Sequence, residues 1–253
     1  MGIFGKALRA ARFDFSLVLY KLGIIGNTSD PVLPFLKMQT QRKIRRHELE
    51  GFYKSLEATD SVEEYKLFVS WHKRHDNLNL FELILREKPR AVVEFGSGVS
   101  TLIMALALSR IGKGKLYSVE SDARWAQVVR DKLAKLNLSK FAEVEHATPR
   151  LEEFYGQVVA SFEKLPDVRP DIIYVDGPDP RTVEGNVKGL TMNNLQFIIL
   201  KDVLYYEWSL YVGAKIIMDG RTQNLRFLQK NLKREYRYRR RFLKNINEIH
   251  IVR

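Results

Sequence analysis

The chain has 253 residues, enough for one sizeable α/β domain with an appendage, and its 45% hydrophobic and 28% charged content is ordinary for a globular protein. It has no cysteine, which excludes disulfides, thiolate metal sites and cysteine nucleophiles and leaves the redox compartment open. The formal charge of +12 is unevenly placed: eleven Lys or Arg stand against two Glu from 221 to 253, and nine against four acidic residues from 1 to 50. Two basic ends therefore flank a nearly neutral middle, and such ends attract nucleic acid, anionic lipid or an acidic glycan.

Residues 3–22 set Phe4, Leu8, Phe15, Val18 and Leu19 among Lys6, Arg9 and Arg12 at helical spacing. This predicts a basic amphipathic helix, packed on its own domain or docked on an anionic membrane surface. No run reaches the ~18–20 apolar residues of a membrane span. Phe15–Ile25 is too short and carries Lys21, no cleavage site follows it, and Lys6 breaks the myristoylation pattern begun by Gly2. The expected location is the cytoplasm, with peripheral attachment at the inner membrane surface as the alternative.

Asn27–Pro34 is expected to be a linker, with two prolines among turn formers. A helix is expected over 35–57, weakest at Gly51. A second should open at the capping box Ser61-Val62-Glu63-Glu64 and run to about His75, and a third should cover Asn77–Lys88. These residues divide the chain into a basic helical extension, 1–76, and a main domain, 77–253.

From Pro89 onward short apolar runs alternate with amphipathic stretches. Strands are expected at Arg90–Phe95, Lys115–Val119, Ala142–Glu145, Asp171–Val175 and Ala214–Met218. Helices are expected at Thr101–Ile111, Ala123–Leu136 and, as one long stretch, Leu195–Tyr211. Such alternation implies right-handed crossovers and a parallel sheet. Glu235–Phe242 and Glu248–Val252 predict a terminal antiparallel hairpin.

Ligands of open parallel sheets bind beyond the carboxyl ends of the strands. There the turn Glu94-Phe95-Gly96-Ser97-Gly98-Val99-Ser100-Thr101 joins the first strand to a helix, the context that a nucleotide-type glycine loop requires. Glu120 ends the second strand, where a carboxylate can accept hydrogen bonds from ribose hydroxyls. Ser100 stands where a dinucleotide fingerprint has its third glycine, which argues against NAD(P).

Together, Val92 to Thr101, Leu116-Tyr117-Ser118-Val119-Glu120 and Asp171-Ile172-Ile173-Tyr174-Val175-Asp176-Gly177 resemble the class I S-adenosylmethionine (SAM)-dependent methyltransferases. Within these, the chain is most similar to the catechol O-methyltransferase-like branch, over about residues 77–253. The resemblance implies a Rossmann-like, doubly wound, mostly parallel seven-stranded sheet, closed by the antiparallel hairpin and preceded by the helical extension. It implies SAM as cofactor. Glu94 would orient the glycine loop and approach the methionine amino group. Gly96, Ser97 and Gly98 would line the methionine and ribose, with Ser100 and Thr101 nearby. Glu120 would hold the ribose, Ala147 and Thr148 would contact adenine, and Asp176 would lie beside the sulfonium and the acceptor.

Catechol-type enzymes use a divalent metal held by oxygen ligands. Asp176 and Asp219 match two of its ligands, but the third, an Asn directly after the second Asp, is here Gly220, and Asn224 is out of place. Without a metal, Asp176 or Asp219 would serve as general base or orient the acceptor. As a strand-end residue in Asp219-Gly220-Arg221, Asp219 also suits a plain turn.

Other residues carry weaker signals. His72 and His75 could share a metal or simply face solvent. His146 could stack on adenine or merely end its strand. Pro178-Asp179-Pro180-Arg181 could shape an acceptor loop, with Arg181 pairing an anionic substrate. Arg237, Arg239 and Arg241 alternate with Tyr236, Tyr238, Arg240 and Phe242. That pattern suits either a nucleic-acid surface or an edge strand with a core-facing aromatic side and charges that deter pairing. The leading expectation is O-methylation of a hydroxyl on a glycan or small molecule. RNA methylation, and a non-catalytic SAM- or nucleotide-binding, membrane-associated partner protein, are the alternatives.

Overall fold

The computed structural model describes residues 32–59, 74–195, 197–241 and 246–253. The chain divides into two compact units, Met1–Leu67 and Phe68–Arg253. The expected helix at 3–22, all but the last two residues of the one expected from Ser61 to about His75, and the start of the linker lie outside the described residues, as does His72.

In the first unit, α1 (Val32–Thr59) is one continuous helix through Gly51. It begins earlier than the expected linker allows. Pro34 falls in its first turn, where a missing N–H has no intrahelical partner to lose. Leu49, Phe52, Tyr53 and Leu56, at helical spacing, are buried.

The second unit opens with α2 (Arg74–Glu87), followed by β1 (Ala91–Phe95), α3 (Val99–Ile111), β2 (Lys115–Glu120), α4 (Ala123–Lys135) and β3 (Ala142–His146). An antiparallel hairpin comes next, β4 (Pro149–Phe154) and β5 (Gln157–Phe162), then β6 (Ile172–Val175). The short α5 (Val203–Tyr206), β7 (Lys215–Asp219), α6 (Thr222–Asn231), β8 (Tyr236–Arg241) and β9 (Ile246–Ile251) complete it.

Seven strands form one sheet in the order β3-β2-β1-β6-β7-β9-β8. The first five are mutually parallel, and β9 runs antiparallel between β7 and β8. This is the expected Rossmann-like architecture. The chain winds outward from β1 to β3, then returns to the other side of β1 at β6, so the topological switch point lies between β1 and β6.

Parallel strands covered on both faces must be apolar throughout, and β6 (Ile172, Ile173, Tyr174, Val175) is buried at every position. On one face Val93, Phe95, Ile173, Val175, Ile216 and Met218 pack with Tyr206, Phe227 and Leu228. At about 1.5–3 kcal/mol per large side chain, this layer is a principal source of stability. The apolar helix α3 is buried from Val99 to Leu108 and packs against α2.

Three stretches differ from the sequence expectation. The hairpin β4–β5 was not expected. The helix expected over Leu195–Tyr211 is confined to Val203–Tyr206, followed by a 3-10 turn at Glu207–Ser209. Ahead of it, Ile199 and Leu200 are extended: the Ala160 N–H donates to the Ile199 carbonyl and the Lys201 N–H to the Ala160 carbonyl, so tertiary pairing overrides helical propensity. Helix α6, also not anticipated, buries Asn224, Leu225, Phe227 and Leu228.

Candidate active site

The glycine turn is held from behind. Glu94 is fully buried, and its two carboxylate oxygens accept from Ser100 Oγ (2.5 Å) and Thr101 Oγ1 (2.6 Å). Thr101 Oγ1 in turn accepts the N–H of Gly98 at 2.8 Å. Ser100 and Thr101 are themselves buried and bonded to Glu94, so they act on the space above the turn through the loop they brace. Burial pushes the Glu94 carboxyl up to about 7; the hydroxyl hydrogen bonds oppose the rise, and the charge of Asp176 adds to it.

From the front, the turn is tied to β2. Glu120 is buried at the end of that strand, and Oε2 accepts both the N–H (2.7 Å) and Oγ (2.9 Å) of Ser97. Its Oε1 accepts the N–H groups of Ser121 (2.7 Å) and Asp122 (3.0 Å). A third anchor comes from α4, where Trp125 Nε1 donates to the Ser97 carbonyl at 2.9 Å. Trp125 is placed in the first helical turn by Asp122, the N-cap, which accepts from the N–H groups of Arg124 and Trp125. Sequence reading missed Trp125, which sits at an ordinary amphipathic-helix position.

The glycines of the turn have different reasons. Gly96 has φ of 90° and abuts Gly177, leaving no room for a side chain on either. At Gly98 an added Cβ would meet nothing within 4 Å, so its missing side chain leaves open space at the mouth of the sheet. Next to this mouth, a groove of about 370 Å³ is lined by Ser121, Asp122, His146, Thr148, Arg181 and Thr182, among others. Ala147 is buried in the core, its N–H donating to the Glu120 carbonyl at 3.0 Å. His146 is exposed and Thr148 half-buried on the groove wall. Arg181 is paired with Asp179 (2.6 Å), which holds the Asp179 carboxyl below its ordinary range.

Asp176 follows β6 and is half-buried, its N–H donating to the Phe95 carbonyl at 2.9 Å. Asp219 ends β7, the adjacent strand, in register with Ile246. Arg221 reaches back from just past β7: its Nη2 donates to the main-chain carbonyls of Asp176 and Pro178. Asn224 is committed elsewhere, its buried amide bonding both the N–H (3.1 Å) and carbonyl (2.7 Å) of Leu200.

At the far edge, Tyr236 and Tyr238 pack against the core while Arg237 and Arg239 are exposed. Tyr236 Oη donates to Glu207 at 2.8 Å. The aromatic side of β8 thus belongs to the interior, as the edge-strand reading expects. Among the described residues no helix is long and apolar enough to cross a membrane.

A family model described as "Methyltransferase domain" matches residues 93–189, the stretch carrying the glycine turn, Glu120, Thr148 and Asp176. No curated protein matches the chain. Among solved structures, the S-adenosylhomocysteine (SAH)-bound methyltransferase PaMTH1 of Podospora anserina is similar over 90% of this chain and 99% of its own, with a TM-score of 0.51 and 10% identity. The O-methyltransferase TomG of Streptomyces achromogenes, solved with SAM, is similar over 93% of this chain and 96% of its own (TM-score 0.45, 14% identity). A Bacillus cereus O-methyltransferase, solved with SAH, is similar over 94% and 97% (TM-score 0.45, 14% identity). At 10% identity the likeness to PaMTH1 speaks to the fold alone.

Proposed function

We propose that the chain is a SAM-dependent methyltransferase of the class I fold and that it methylates a hydroxyl oxygen of a glycan or small molecule. The observation that carries this reading is the open space at Gly98 beside the fixed carboxylate of Glu120, at the carboxyl ends of β1 and β2. The residues present suit the cofactor. The buried carboxyl of Glu120 and the half-buried one of Asp176 flank the mouth with the charge that a sulfonium cation favours, and the adjoining groove offers room for a nucleoside.

In this reading Gly96, Ser97 and Gly98 receive the methionine and ribose, and Glu120 turns its remaining acceptor capacity to the ribose hydroxyls. Ala147 and Thr148 border the adenine. Ser100 and Thr101 keep Glu94 in place. Asp176 and Asp219 orient the acceptor and take its proton, so that the oxygen is aligned for in-line displacement. The domain is assigned to about 77–253, with 1–76 as an extension. RNA is the second acceptor class, favoured only by the exposed arginines of β8.

Calorimetry with SAM, SAH and NAD tests the cofactor: the first two should bind and NAD should stay silent, whereas tight NAD binding sinks the reading. Transfer of a labelled methyl group from SAM into cell extract, followed by identification of the product, tests the acceptor. Label in RNA would replace the glycan or small-molecule reading.

A further inference from the structure

Catechol-type methyl transfer relies on a divalent cation between the ends of two adjacent strands, and here those ends do not fit one. Gly220, directly after Asp219, has no side chain to donate a ligand. Asn224, the asparagine that follows in sequence, is buried and spends both its polar atoms on Leu200. A fixed cation stands between the strand ends instead. Gly220 has φ of 65°, a left-handed turn that sends the chain back over the sheet. From there the Arg221 guanidinium spans to the end of β6, donating to the carbonyls of Asp176 and Pro178. It is half-buried, where water screens its charge less than at the open surface.

Resting on the methyl-transfer reading above, we infer that Arg221 takes the place of the divalent cation and holds Asp176 for metal-independent transfer. A guanidinium is always charged and cannot be lost to a chelator, and here its Nη2 alone serves both carbonyls. Its charge repels a second cation from the same space. The chemistry needs no other reactant than SAM and the acceptor. The acceptor oxygen attacks the methyl carbon, the carbon–sulfur bond breaks with its electron pair going to sulfur, and the acceptor proton passes to the Asp176 carboxylate. Arg221 is thus a positioning residue, fixing the main chain on both sides of Gly177 so that the Asp176 carboxylate stays where the proton is released.

The test is Mn²⁺ binding to the full chain, followed by electron paramagnetic resonance with and without SAH. Wild type should leave the free-ion signal unchanged at millimolar Mn²⁺. Arg221→Gln should gain measurable affinity, and Gly220→Asn combined with Arg221→Ala should gain about tenfold more, since it supplies the missing oxygen ligand and removes the repelling charge. The single variant keeps the test open where the double variant does not fold. In labelled-methyl assays Arg221→Lys should retain turnover better than Arg221→Gln, with SAH affinity unchanged in both. Stoichiometric Mn²⁺ binding by wild type, or no gain in either variant, overturns the assignment. If wild type binds no SAH, the cofactor reading fails by itself, and the SAH-free Mn²⁺ comparison still decides the role of Arg221.

Discussion

Gly96 and Gly177 meet backbone to backbone across the switch point: a Cβ on either would lie 2.6 Å from the Cα of the other. The contact welds the turn after β1 to the turn after β6, so the loop beside the cofactor space and the loop carrying Asp176 move as one body. Gly96→Ala and Gly177→Ala should therefore each destabilise by about 1–3 kcal/mol, the usual cost of overpacking, and lower the melting temperature. Gly98→Ala, with nothing within 4 Å of its new methyl, should melt like wild type yet bind SAH more weakly. Thermal melts paired with calorimetry separate the two classes. A Gly98 variant that melts early and binds normally would contradict the assignment of open space there.

Glu120 accepts from Ser97, Ser121 and Asp122, which makes it a clasp as well as the proposed ribose ligand. Hydrogen bonds to charged groups contribute roughly 1.5–3 kcal/mol, so Glu120→Ala should weaken SAH binding by about tenfold to a hundredfold. Calorimetry measures this directly, and unchanged affinity would remove Glu120 from the site.

Trp125→Phe keeps an aromatic ring, though a smaller one, and deletes the N–H that holds the Ser97 carbonyl. The net worth of such a bond is about 0.5–1.5 kcal/mol, so SAH affinity should fall by about two- to tenfold. Turnover at saturating SAM should hardly change. A drop in kcat alone would show that the indole acts on the acceptor side.

Glu94 gives a pH signature. Its carboxyl is pushed up to about 7 from 4.5, mainly by burial, so between those values the folded chain keeps a proton that the unfolded chain has lost. Stability from this group accordingly declines as pH rises from about 4.5 to 7 and then levels off. Glu94→Gln abolishes that decline, so its melting-temperature deficit should be larger at pH 5 than at pH 8. A deficit that grows with pH would reverse the assignment. Asp202, also raised to about 7 by burial, contributes the same slope to both proteins.

Asp176→Asn and Asp219→Asn should bind SAH as wild type does but lose methyl transfer. A general base typically contributes about 10²–10⁴-fold, and the variant with the larger loss in labelled-methyl assays identifies that base. Equal, small losses in both would show that neither carboxylate takes the proton.

Much of this arrangement was legible in the sequence because parallel strands announce themselves. Val92-Val93 and Ile172-Ile173 are apolar at consecutive positions, and the polar residues that follow them mark the strand ends where the candidate site lies. The hairpin β4–β5 gave no such signal. Its two-residue turn is Tyr155-Gly156, both at positive φ, and tyrosine in place of Asn or Asp hides the usual hairpin signature. The segment before α5 misled for the opposite reason: its apolar density suits a helix, and only pairing with Ala160 and the Asn224 amide, distant in sequence, makes it extended. Trp125 and Arg221 escaped notice because each reaches its partner across the mouth of the sheet. Such reach is fixed by strand order and not by spacing along the chain.

The insertion of β9 between β7 and β8 also constrains how the molecule is made. When β7 leaves the ribosome, one of its edges is open, and the strand that will cover it follows only after α6 and β8. Until then, the strand bearing Asp219 offers unpaired main-chain groups to any passing extended peptide. Because β8 pairs within the sheet with β9 alone, the two strands close the sheet together, as a hairpin whose β9 side docks on β7. The strand that ends in Asp219 therefore gains its second neighbour only when the last strand of the sheet has been made.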